Sequence, residues 1–120
     1  MTPYALLYVA DPEISASFFG ALFDREPIDS SATFALFALD GMMLGLWRRS
    51  GVEPKAEAEI GGSEVAFRVE SEEAVQRLGD RLAELGAVIL QAPTRLDFGY
   101  AVTGATSDGH RIRVFSRSVA

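Results

Sequence analysis

The chain predicts an α+β fold built from two copies of one β–α–β–β–β module, with mixed, mainly antiparallel sheets and helices on one face. Three observations carry this. Two Asp-Gly turns, Asp40–Gly41 and Asp108–Gly109, each precede a strand-like run that ends in an aromatic, MMLGLW and RIRVF. Each run closes a segment that opens with a strand and a capped helix. Within each half, tight turns join the strands, which favours antiparallel pairing over a doubly wound parallel sheet.

In the first half, residues 4–9 (YALLYV) read as a strand by length and composition. Asp11 then caps a helix, and Pro12 sits at its first position, where a missing N–H costs nothing. Ile14, Phe18 and Leu22 recur at helical spacing as an apolar stripe, widened by Phe19 and Phe23. Residues 24–31, with Pro27, read as a loop. Residues 33–39 (TFALFAL) form the next strand, followed by the first Asp-Gly turn and the strand 42–47. Gly can take positive φ there without a Cβ penalty.

Residues 50–62 hold Gly51, Pro54, Gly61 and Gly62 around a charged KAEAE run and lack apolar periodicity. They read as a linker between modules 1–49 and 63–118 of one domain, 1–120. The second module opens with the strand 64–69 (EVAFRV). Ser71 caps its helix, with Glu72 and Glu73 in the first turn, the sign favoured there. Val75, Leu78, Leu82 and Leu85 form its stripe, and Gly86 is placed to end it. A short strand at 87–91, a loop at 92–99 and two strands joined by the second Asp-Gly turn complete the module. Tyr4 corresponds to Glu64 and Asp40 to Asp108, so the second copy is the longer.

Composition narrows the function. No cysteine is present, which excludes disulfides, thiol chemistry and a cysteine zinc site. A formal net charge of −6 argues against nucleic acid, which calls for a basic face. The pair Arg48 and Arg49 reads as a solvated strand end. No run approaches the ~20 apolar residues of a membrane span, and no basic leader opens the chain. The expectation is a cytoplasmic protein with neither nucleic-acid nor membrane partners.

The segments LLYVADPEISASFF, EVAFRVESEEAVQRL and APTRLDFGYAVTGATSDGHRIRVF, with DGHRIRVF the most specific, resemble the vicinal oxygen chelate superfamily. That superfamily includes glyoxalase I, bleomycin resistance proteins and extradiol dioxygenases. The resemblance implies curved sheets around a shared cavity and assembly as a homodimer, with modules exchanged between subunits as one option. Strand alternation places Tyr4, Leu6 and Tyr8, then Met43, Gly45 and Trp47, on the cavity side of the first half. In the second half it places Glu64, Ala66 and Arg68, then Arg111, Arg113 and Phe115, on that side.

The resemblance puts the superfamily's metal-ligand positions on Tyr4, Gly45, Glu64 and Arg113. Glycine offers no donor and arginine brings a permanent positive charge, so neither metal nor cofactor is expected. Glu64 and Arg113 either form an ion pair or stand solvated in an open groove. His110 reads as a surface turn residue. What remains resembles the metal-free, bleomycin-resistance-like branch, which implies non-catalytic sequestration of a small aromatic, antibiotic-like molecule. The acidic balance suits a cationic one. The expected ligand-binding residues are Tyr4, Tyr8, Met43, Trp47, Glu64, Arg68, Phe98, Tyr100, Arg113 and Phe115, with no catalytic residue. The alternative is a metal-dependent isomerase, lyase or dioxygenase of the same superfamily.

Overall fold

The computed structural model describes residues 1–117, so the expected end of the second module at residue 118 lies outside the described residues. Chain contacts divide it into two compact units, one running to Gly61 and one starting at Gly62. Among the described residues there are two helices and eight strands, in two four-stranded mixed sheets.

The first unit runs β1 (Tyr4–Val9), α1 (Pro12–Phe23), β2 (Asp29–Ser30), β3 (Phe34–Leu39) and β4 (Met42–Arg48). Its sheet order is β1-β4-β3-β2, with β1 parallel to β4 and the other pairs antiparallel. Asp11 caps α1 as expected, its Oδ1 accepting the Glu13 N–H at 2.9 Å. The helix ends where Asp24 turns into the left-handed region at φ 52°.

The stripe expected of α1 is corrected. Ile14 is 65% exposed, and the buried positions are Pro12, Ala16 and Phe19. Helix and sheet meet at small residues: a Cβ on Gly20 would lie 3.7 Å from the Phe37 ring. That approach turns Phe19 fully inward and sets Phe23 edge-on against Phe37, at 5.6 Å between centroids. Leu7, Val9, Ala35, Phe37, Leu44 and Leu46 supply the sheet side of this core. Strand β2 lies within the stretch read as a loop, because two polar residues carry no alternation. Its pairing with β3 alone defines it.

The stretch read as a linker is tied to the first unit. A 3-10 turn at Arg49–Gly51 follows β4, Val52 and Ala56 are buried, and Arg49 Nε donates to the Ala58 carbonyl at 2.8 Å. Arg48 Nε donates to the Ala32 carbonyl at 2.8 Å, and its Nη1 to that of Ala10 at 3.0 Å. The two arginines are therefore braces for loop carbonyls, not a solvated strand end.

The second unit runs β5 (Glu64–Arg68), α2 (Glu72–Glu84), β6 (Val88–Leu96), β7 (Gly99–Ala105) and β8 (Arg111–Arg117). Its order, β5-β8-β7-β6, repeats the first sheet, again with one parallel pair, β5 and β8. Ser71 accepts the Ala74 N–H at 3.1 Å, and Val75 and Leu82 of the expected stripe are fully buried. Strand β6 is longer than expected and runs through Pro93, correcting the loop read at 92–99. It is an edge strand with register shifts on either side of Gln91, and an edge tolerates proline's missing donor.

Candidate functional site

Each sheet has one face covered by its helix and one open face. The registers Tyr4↔Met43, Leu6↔Gly45 and Tyr8↔Trp47 put these residues side by side on the open face of the first sheet. Phe34, opposite Trp47 on β3, meets it edge-to-face at 6.1 Å between centroids. Gly45 leaves room that its neighbours fill: a Cβ there would lie 2.5 Å from Leu6 Cδ2 and 3.0 Å from the Phe34 ring. Tyr4 is exposed and Trp47 half-buried, so this face offers aromatic surface and almost no charge.

The second open face has equivalent positions and opposite chemistry. Glu64 stands opposite Arg111, Ala66 opposite Arg113 and Arg68 opposite Phe115. Arg113 grips Glu64 with both arms of its guanidinium, Nε to Oε2 at 2.9 Å and Nη2 to Oε1 at 3.1 Å. This hydrogen-bonded pairing, aided by the charges of Arg113 and Arg111, outweighs desolvation and holds the Glu64 carboxyl below its ordinary value. The same bond raises Arg113. Of the two arrangements open at the sequence level, the ion pair is the one formed.

Phe98 folds back from the β6–β7 turn onto this face. Its ring meets Phe115 edge-on at 5.5 Å, and the Arg113 guanidinium lies 6.0 Å from its centroid. Thr103, in register with Arg113, is buried, and its Oγ1 has no hydrogen-bond partner. Such a group is costly unless something meets it.

Tyr100 does not join them. Strand alternation sends it to the helix side of β7, where its hydroxyl accepts from Gln76 Nε2 at 3.0 Å and Arg95 lies over its ring at 5.9 Å. His110 is likewise corrected: it is 3% exposed, with Nδ1 against the Ser63 hydroxyl. Extending the alternation of β8 back from Ile112 puts His110 on the helix side, so the signal was present in the strand period. The structure thus groups Tyr4, Tyr8, Met43 and Trp47 on one open face, and Glu64, Arg68, Phe98, Arg113 and Phe115 on the other.

Two modules of this order, each with a parallel outer pair and a helix on one face, frame the comparison with known proteins. Residues 2–114 match the family described as the Glyoxalase/Bleomycin resistance protein/Dioxygenase superfamily. The chain belongs to that superfamily. It is 43% identical to protein ATC0852 of Agrobacterium tumefaciens, whose solution structure aligns over 99% of both chains with a TM-score of 0.88. A glyoxalase-related enzyme from Fulvimarina pelagi aligns over 98% of this chain and 88% of its own at 22% identity and TM-score 0.85, which speaks for the fold alone. The same holds for a superfamily member from Burkholderia phytofirmans, at 18% identity, TM-score 0.85, and coverage of 96% and 97%. None of the curated proteins compared matches the chain.

The superfamily's metal does not fit the positions the resemblance assigns to it. Both oxygens of Glu64 are taken by Arg113, Arg113 is itself a cation, and Gly45 has no donor. Among the described residues no three His, Cys, Asp or Glu side chains gather as a ligand set. No helix among them is long and apolar enough to cross a membrane.

Proposed function

We propose that this superfamily member binds and sequesters a small aromatic, antibiotic-like molecule without changing it, as bleomycin resistance proteins do. The observation that carries the reading is the replacement of the coordinating centre in the second unit by the Glu64–Arg113 ion pair. Lewis-acid polarisation of a substrate requires free donors. What the open faces offer instead is ring surface: Trp47 with Phe34, and Phe115 with Phe98. Flat, amphipathic rings hold aromatic ligands by stacking and edge contacts. The net charge of −6 draws cationic ligands at long range.

The test is a fluorescence titration. Trp47 is the single tryptophan, so its emission reports its face alone. Saturable quenching by aromatic antibiotics, each recovered chemically intact, is the expected result. A flat response across a broad panel, or turnover of the added compound, would sink the reading. The same reading takes the working form as a homodimer, since each sheet ends in edge strands that a second copy can cover. Native mass spectrometry should then give twice the 13.0 kDa chain mass.

A further inference from the structure

We propose that the open face of the second unit selects an aromatic acid, with Arg68 taking the carboxylate and Phe115 flanking the ring. This rests on the aromatic-binding reading above and gives the ligand a charge. Within a chain of net charge −6, this face concentrates positive charge: Arg68, Arg111, Arg113 and Arg117 share it with Glu64, and with Glu70 just past the end of β5. The Glu64 carboxylate is consumed by Arg113 through both its oxygens. The side chains of Arg68 and Arg111 make no hydrogen bond or ion pair among the described residues, although Arg111 lies within the electrostatic reach of Glu64. An unpaired guanidinium presents a planar fork that matches a carboxylate.

The row of side chains leaves a place for the ring. Ala66, between Glu64 and Arg68 on β5, is exposed and small, and the position across from it is Arg113, drawn aside by Glu64. Phe115 stands directly opposite Arg68, with Phe98 edge-on against its ring. A planar acid lying over Ala66 meets the Phe115 ring and points its carboxylate at Arg68. Glu70, just past the end of β5, lines a recess together with Arg68 and Arg117. Thr103 Oγ1, buried and unpartnered in register with Arg113, is a further polar group on this face that lacks a bond. The overall charge would predict the opposite preference, so face and whole chain make different forecasts.

Calorimetric titration of the full chain at low salt decides between them, using 2-naphthoate, 2-naphthylmethylammonium and 2-naphthylmethanol. The acid should bind about tenfold more tightly than either other compound, and added salt should erode that margin. Arg68→Gln should weaken naphthoate about tenfold and Arg111→Gln about two- to threefold, with the melting temperature unchanged. Arg77→Gln, on the exposed side of α2, should change nothing. Equal binding of the three compounds, a preference for the ammonium, or naphthoate binding untouched by Arg68→Gln overturns the inference and leaves aromatic binding standing. Acetate binding as tightly as naphthoate overturns the role given to Phe115. Failure of all three naphthalenes to bind overturns both proposals.

Discussion

The two open sheet faces share one backbone plan and carry opposite chemistry. By register, Tyr4 holds the place of Glu64, Gly45 that of Arg113, and Trp47 that of Phe115. Where the second face places a long cation held by a carboxylate, the first has a vacated backbone position, closed over by Leu6 and Phe34. The scaffold is repeated by hydrogen bonds between main chains, which are indifferent to side-chain identity. The face is set by every second residue of each strand, so a few substitutions at alternate positions turn a polar centre into an aromatic floor.

The second face is most vulnerable at Gly99, which adjoins Phe98 at the β6–β7 turn. An added Cβ would sit 2.0 Å from the Ser116 carbonyl oxygen, at a backbone φ of 151° that few L-residues adopt. Gly99→Ala should therefore cost on the order of 3 kcal/mol in urea denaturation, and a loss under about 1 kcal/mol would refute that packing. On the first face, Phe34→Ala removes the edge contact to Trp47 and the ring that fills the space at Gly45. About 2 kcal/mol of destabilisation is expected for this half-buried ring, with a red shift of Trp47 emission. An unshifted spectrum would mean that the two rings are not in contact.

A smaller effect separates the two faces by pH. Glu64 has a depressed carboxyl value in the folded chain, held there first by its hydrogen bond to Arg113. Its stabilisation is therefore present above the unfolded carboxylate value, ~4.3, and is lost as pH falls through the lower folded value. Glu64→Gln should cost about 1 kcal/mol near neutrality, a discounted figure because the pair is partly solvent-exposed. The gap between wild type and variant should close in acid. A gap that stays constant down to the acid limit would show that the pair is not ionic. Least of all, Ile14→Ser on the outward side of α1 should change stability by less than about 0.5 kcal/mol. The same change at the buried Val75 of α2 should be far larger.

Much of this was legible before any coordinates. The caps at Asp11 and Ser71, both Asp-Gly turns and the alternation of β1, β4, β5 and β8 emerge as read, because each is a local pattern within one turn or one strand. Most of the candidate site follows from that alternation, and the same period carried along β7 puts Tyr100 on the helix side. The polar strand β2 and the proline-bearing half of β6 were not legible, since only a partner strand makes a ladder of them.

From residue order alone come the duplicated module and the side of each strand on which a residue lies; the resemblance adds where relatives hold a metal, and the residue types there show the mismatch. Those depend on covalent spacing and donor chemistry. Which way α1 rolls, that Arg113 closes on Glu64 and leaves Arg68 unpaired, and that Phe98 returns to Phe115 were decided by packing. Such outcomes turn on competition among side chains distant in the chain for the same space and the same hydrogen bonds, and no local pattern records who wins.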